Sequence, residues 1–286
     1  MSVLGGSPTS AAATGAKRSE AATRSAFDTR IRSNLRRRRL LLIGAAGVPG
    51  AVAGLVLGFA VGLVAGVVAA VVVAAAVAIG VARRANRYVL RVIGGRRIDG
   101  SDLPRLSNLV EGLCATCGVR PPGLWLVTDP VPNACSVGRG TGPAALVVTS
   151  GLLDALDLLE LEGVVAHELM HLKCQDAAVS EAAVAVLAPL VRITGHDGIV
   201  HRALGRGREY RADQEAVSAV RSPRGLQRAL EAMAGGAGPE PGSVFTGRRW
   251  ALTRWLWIDP MVGSRGGPTL GVLDDTEVRS AALTEW

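Results

Sequence analysis

Five consecutive residues of this chain can do chemistry together: His167-Glu168-Leu169-Met170-His171. On a helix, side chains four residues apart sit one turn apart on the same face, so both imidazoles can reach one metal ion. Glu168 projects close to that face, where it can take a proton from a water that such a metal activates. With four His and twelve Glu in 286 residues, chance produces the pattern about once in 400 such chains. Two structural histidines beside a surface glutamate are the plain alternative, but the amphipathic run 158–166 puts the motif on a helix, as a metal site requires. A hydrolytic centre of this kind needs a third protein ligand and an open fourth position. Downstream, Glu209-Tyr210-Arg211-Ala212-Asp213 offers two carboxylates one helical turn apart. If Glu209 were the third ligand, Asp213 could orient one of the ligating imidazoles. His196 and His201, in a Gly-rich segment, are the other candidates. A third histidine on the HExxH helix is absent, since Cys174 and Ala177 stand where the HExxHxxGxxH pattern has Gly and His.

The elements that must position these groups begin with the membrane. The chain has 49% apolar and 3% aromatic residues, enough for a sizeable core, which excludes disorder and a small disulfide scaffold. Residues 1–99 hold 15 basic and 3 acidic side chains, net +12, whereas 100–286 hold 17 and 21, net −4. A uniformly basic nucleic-acid binder would not divide its charge this way, so no nucleic-acid partner is expected. Residues 1–26 carry no apolar period and, with the basic run ending at Arg39, read as a disordered basic tail over 1–39. Then 40–81 gives 42 residues without a charged side chain. As a single helix that run would be about 63 Å long, roughly twice the hydrocarbon thickness. Two spans in a hairpin over 40–82, turning near 58–62, fit it best. Arg clusters on both flanks place both ends in the cytoplasm. A single span over 51–81 after a break at Pro49-Gly50 is the rival. A cleavable signal peptide does not fit a 39-residue leader. Gly54, Gly58, Gly62 and Gly66 allow close approach, packing the hairpin on itself or on another subunit as a homo-oligomer.

Beyond the hairpin, 102–118 reads as a helix stopped by Gly118, followed by strands at 124–128, 134–137 and 145–149. A long helix is predicted over 154–175. The apolar helix 177–193, interrupted by Glu181 and Pro189, reads as core or interfacial and too short to span. Helices follow at 208–220 and 226–234, then a loop at 235–242 and a short amphipathic stretch at 250–258. Arg30 to Arg39 are expected to meet anionic headgroups. Trp250, Trp255 and Trp257 are assigned to the core or the membrane interface. Cys114, Cys117, Cys135 and Cys174 form no disulfide framework, and the isolated Cys114-Ala115-Thr116-Cys117 is read as ordinary thiols. The strong Arg, Ala, Gly and Val bias fits GC-rich codons and a bacterial source.

On these residues the chain resembles the M48 peptidases, membrane zinc metallopeptidases that include HtpX-like and prenyl-protease members. The resemblance covers roughly 85–286 and the hairpin before it. It is carried, in the family's order, by Val131-Pro132-Asn133-Ala134, by 146–153, by 162–171 and by Arg208-Glu209-Tyr210-Arg211-Ala212-Asp213. It implies His167, His171 and Glu209 as ligands of a single Zn2+ ion and Glu168 as general base. It also implies that Asn133 and Ala134 lie on an edge strand that holds the substrate backbone. The implied fold is α+β, a gluzincin-like, helix-rich domain with a small β-sheet over 83–286. The chain departs from the family in lacking two further hydrophobic segments before Glu209, so the domain is expected to hang from the N-terminal hairpin alone. It also lacks the family's His-Pro pair: 274–279 keeps Arg279 without the histidine, which leaves His196, His201 and Arg279 as candidates for a transition-state contact. Cys135 stands where an aromatic or aliphatic residue is usual.

The expected function is therefore a membrane-anchored zinc endopeptidase of the bacterial plasma membrane. Its catalytic domain faces the cytoplasm and acts on protein or peptide substrates in membrane protein quality control. A catalytically silent scaffold that binds partner proteins is the alternative. A prenyl-protein role is disfavoured, because it would need a large multi-span chamber.

Overall fold

The computed structural model describes residues 10–138, 143–196, 198–205, 207–236, 238–260, 262 and 276–286. Helix α1 (Ser10–Val61) and helix α2 (Leu63–Ile93) are separated only by Gly62, whose φ of 120° suits a residue without Cβ. The chain reverses there, at the end of the stretch where the turn was expected, and both helices are long and apolar enough to cross a membrane. The hairpin closes on itself through its glycines. A Cβ on Gly66 would stand 2.6 Å from the Gly54 carbonyl and 2.7 Å from Gly58 Cα, and one on Gly54 would meet Ala70 Cβ at 2.9 Å.

Two readings at the N-terminal side are corrected. Residues 1–9 of the expected tail lie outside those described, but from Ser10 the chain is already helical. The basic run also does more than face lipid: Arg30 pairs with Asp176 and Glu215, and Arg37 donates to the Leu204 carbonyl. These bonds to the domain hold the segment in place, which composition alone cannot show. Helix α2 continues past 82, the expected membrane boundary. It runs on to Gly94, a left-handed cap, and buries Val89, Leu90 and Ile93 in the domain core.

The domain is built on a four-stranded mixed sheet in the order β1-β2-β4-β3, where β1 is Arg96–Ile98, β2 Gly123–Val127, β3 Ala134–Val137 and β4 Ala145–Thr149. β1 escaped the sequence reading, hidden in the Arg-rich connection. β2 and β4 run parallel, and the other pairs are antiparallel. Side chains alternate along β4: Leu146 and Val148 join one core, Ala145 and Val147 the other. The first core is completed by α3 (Pro104–Cys117), α5 (Leu158–Lys173), α8 (Arg208–Val220) and α9 (Pro223–Gly235). The second takes α2, α6 (Asp176–Thr194) and the buried Trp250, Trp255 and Trp257, which settles the tryptophans in the interior.

The predicted helix over 154–175 is α5, which begins four residues later, after a separate short helix α4 (Ser150–Ala155). Asp157 and Glu160 form a reciprocal capping box that restarts the chain as α5, accepting from the Glu160 and Asp157 backbone N–H groups at 2.9 and 2.8 Å. α6 also differs from expectation. It continues through Pro189 to Thr194 and is, by length and composition, a third helix capable of crossing a membrane, although more than half of its most apolar window is buried against protein. Pro189 removes one hydrogen bond without ending the helix. The remaining helices are α7 (Gly198–Leu204), α10 (Gly247–Thr253) and α11 (Thr276–Leu283).

Candidate metal centre

Helix α5 lies at the middle of the fold and is buried continuously from Gly163 to Leu172. Gly163 makes this possible: a Cβ there would stand 2.7 Å from the Leu226 amide nitrogen of α9. Near the C-terminal end of α5, His167 and His171 turn their Nε2 atoms toward each other at 3.0 Å. α8 crosses here and brings Glu209, in its first turn, to the same point. Glu209 Oε2 lies 3.1 Å from His167 Nε2 and 3.2 Å from His171 Nε2. These three residues are the group that could hold a metal ion among the described residues, and all three are buried.

The outward nitrogens explain why three such atoms converge. His167 Nδ1 lies 2.7 Å from Asp213 Oδ1, and His171 Nδ1 lies 3.4 Å from Asp176 Oδ2. Each carboxylate draws the ring proton to Nδ1 and leaves the Nε2 lone pair pointing inward. Once both rings are neutral, as ligation requires, two such lone pairs and a carboxylate oxygen have no donor among themselves. Their spacing suits a cation: tetrahedral bonds of about 2.0–2.1 Å separate ligand atoms by about 3.3 Å. The donor set therefore fits a divalent metal with nitrogen and oxygen ligands.

The carboxylates are held by arginines that spacing did not single out. Arg208 donates from Nε to Glu209 Oε1 at 2.8 Å and also bonds Ser180 and the Trp255 carbonyl, which leaves Oε2 alone to face the imidazoles. Burial by itself would raise the Glu209 pKa, but the Arg208 guanidinium and the imidazoles hold it well below the usual carboxylate range. Asp213 is likewise lowered against its burial, chiefly by Arg279. For His171, burial disfavours the charged ring, but Glu209, with hydrogen bonds to Asp176 and Glu209, raises its pKa to about 9 in the metal-free chain. Arg208 was legible as the neighbour of Glu209. Asp176, five residues after His171, gave no pattern to follow. It is braced by Arg30 and by Asn34, whose Nδ2 lies 2.6 Å from Asp176 Oδ1, so the membrane helix α1 reaches within one residue of a ligand.

Glu168 is 1% exposed, and neither of its carboxylate oxygens has a hydrogen-bond partner among the described residues. It lies close enough to Cys135 of β3 to help burial push that thiol's pKa well up. An unpartnered buried carboxylate is costly and rare, and this one belongs to the residue between the two histidines.

The other candidates fall in different places. Arg279 stands behind the site, not in it: its Nε and Nη2 reach the two Asp213 oxygens at 2.7 Å each, and Nη1 reaches the Ile258 carbonyl. Each of its three nitrogens is thus engaged behind Asp213, on the side away from the imidazoles. Asp274 and Asp275, before it, lie outside the described residues. His196 is exposed at the end of α6 and bonds Thr194. His201 stacks against Trp255 with ring centroids 4.5 Å apart and lines one small cleft together with Arg208 and Glu209.

The expected open edge at Asn133 and Ala134 is filled. β3 is the outer strand of the sheet, but Trp257 bridges Cys135, and Ile258 N–H donates to the Ala134 carbonyl at 2.9 Å. The Asn133 amide clamps the same segment, donating to the Asp259 carbonyl at 2.9 Å and accepting from the Asp259 N–H at 3.2 Å. Trp257 and Ile258 bury apolar side chains there, which no motif in 131–134 foretells.

A helix-borne HExxH completed by a glutamate from a later helix, beside a small mixed sheet, defines a metallopeptidase-type domain. The family model of Peptidase family M48 matches residues 101–265, more than half of the chain. The chain belongs to peptidase family M48. Among its relatives, a protein named Protease HtpX homolog from Dictyoglomus thermophilum is 35% identical over 183 residues, covering 52% of this chain and 60% of the relative. A protein of the same name from Tropheryma whipplei is 35% identical over 188 residues, 54% of this chain and 65% of its own. Another from Aquifex aeolicus is 31% identical over 239 residues, 70% and 78%. The chain thus spans under two thirds of the length of the first two relatives.

Proposed function

We propose that this chain is a membrane-anchored zinc endopeptidase that hydrolyses peptide bonds of protein substrates, with a role in membrane protein quality control. The observation that carries the reading is Glu168: a buried carboxylate without a partner among the described residues, between two histidines whose ring nitrogens converge with a carboxylate oxygen. His167, His171 and Glu209 would hold a single zinc ion. The ion would supply Lewis acidity, polarising a substrate carbonyl and making water more acidic.

This chain's own residues do the rest. Asp213 and Asp176 fix the ligand tautomers, and Arg208 keeps Glu209 ionised. Glu168 accepts the proton of the attacking water and passes it to the leaving amine. His201, in the cleft beside Glu209, is the candidate donor to the developing oxyanion. The hairpin α1–α2 is long and apolar enough for two spans, and the Arg clusters at its base support a cytoplasmic domain. The relatives' printed name, protease, agrees with this reading.

The test is cleavage of an unfolded protein by the detergent-solubilised full-length chain, wild type beside Glu168→Gln, with zinc content measured in both. Zinc in both and cleavage only in the wild type is expected. Zinc in both without cleavage in either would favour a silent scaffold, and absence of zinc would remove the metal centre.

A further inference from the structure

At the base of the apolar hairpin, α2 and the C-terminal half of α6 diverge and leave an open groove of about 880 Å³. Val73 and Val77 form one wall, Ala185 and Pro189 the other, and Arg84 and Arg192 both line it. Val73 precedes Arg84 by eleven residues on one helix, so the groove reaches about 16 Å from the level of Arg84 into the depth of the apolar run. Beside it Ile193 is 82% exposed, an apolar side chain turned outward at the end of α6.

Two features distinguish this groove from a bare apolar face. First, it carries charge. Neither Arg84 nor Arg192 has a hydrogen-bond or ion-pair partner among the described residues. Arg84 folds back toward the hairpin, its Nη1 3.3 Å from where a Cβ on Gly80 would stand, as long helical side chains tend to do. Both are exposed at the rim of the groove, where an anionic headgroup can reach them. Second, the groove holds an acceptor without its helical donor. Pro189 has no N–H to give the Ala185 carbonyl, and both residues line the same wall.

We infer that this groove binds one anionic phosphoglycerolipid of the leaflet at the hairpin base. Its acyl chain lies along Val73 and Val77, and its phosphate between Arg84 and Arg192. Such a lipid joins an apolar chain to an anion in one molecule, and a glycerol headgroup adds a hydroxyl donor for the Ala185 carbonyl. A neutral membrane-spanning peptide would fill the walls and leave both guanidinium groups unpaired, so the charge favours the lipid.

The probe is phosphatidylglycerol against phosphatidylcholine, titrated onto the full-length chain in neutral detergent and read by native mass spectrometry, with helicity checked for every variant. Preferential retention of one phosphatidylglycerol per chain is expected. Arg84→Gln and Arg192→Gln should each weaken it about fivefold. Ala76→Trp, which fills the groove from an exposed position, should abolish it, and Arg97→Gln, on the exposed face of β1, should leave it unchanged. Equal retention of the two lipids, retention that survives the double arginine substitution, or equal loss in Arg97→Gln would each overturn the proposal. So would displacement of the lipid by a neutral single-span peptide whose binding ignores Arg84 and Arg192, since that would assign the groove to a protein helix.

Discussion

Asp213 and Arg279, 66 residues apart, meet through two nitrogen–oxygen contacts of 2.7 Å in the buried interior, and the same Asp213 carboxylate holds His167 Nδ1 at 2.7 Å. The C-terminal helix α11 therefore reaches the metal centre through one carboxylate. Arg279→Leu should leave Asp213 as a buried charge short of its main partner and destabilise the chain by about 3–5 kcal/mol. The Asp213→Leu/Arg279→Leu double variant should lose less than the sum of the two single losses. Thermal unfolding in detergent measures both, and strict additivity would contradict the pairing.

Metal affinity should follow the carboxylates behind the ligands. Asp213→Ala should weaken zinc binding by about 10–100-fold, the usual cost of losing the group that orients a ligating imidazole. Asp176→Ala should cost less, since its oxygen stands 3.4 Å from His171 Nδ1 against 2.7 Å for Asp213. Competition with a chelator of known affinity ranks the two, and the reverse order would refute the geometry.

In the metal-free chain His171 titrates near 9, above the ordinary histidine value of 6.5. A raised folded pKa stabilises the fold fully below about 6.5, and that contribution fades as pH rises through about 9. Metal-free protein should therefore lose stability across this window. Zinc competes with the same proton, so its binding should release close to one proton at pH 7 and none above about pH 10, with affinity rising in between. Calorimetry in buffers of different ionisation enthalpy reads this release directly.

The hairpin makes a prediction that needs no metal. Gly66→Leu and Gly54→Leu force side chains into the facing helix and should destabilise the hairpin by about 1–3 kcal/mol each. Gly44→Leu and Gly47→Leu, where a Cβ meets nothing within 4 Å, should be close to neutral. Thermal melts of the four variants in one detergent compare them, and equal effects would argue against self-packing of α1 and α2.

The sequence by itself determined what depends on local spacing. A four-residue interval on a helix fixes that His167 and His171 share a face. Forty-two residues without charge fix the apolar hairpin, and short β-like runs between Pro and Gly turns give strands β3 and β4. Glu209 and Asp213 were legible as a pair one turn apart, and the family resemblance supplied their order with respect to the histidines.

Tertiary structure decided whatever depends on the meeting of distant segments. Arg279 becomes the support of Asp213 because α11 packs against α9, a long-range contact with no local signature. Asp176 acquires a role because α1, beginning far upstream, lays Arg30 and Asn34 against it. The edge of β3 closes because Trp257 and Ile258 have apolar surface to bury and the sheet offers the nearest unpaired strand. Pro189, a stop signal by propensity, stays inside α6, whose buried face on either side of it, Val184, Ala188 and Val191, joins the core. Local pattern assigns residue types to faces, but burial and ion pairing across the fold decide which faces meet.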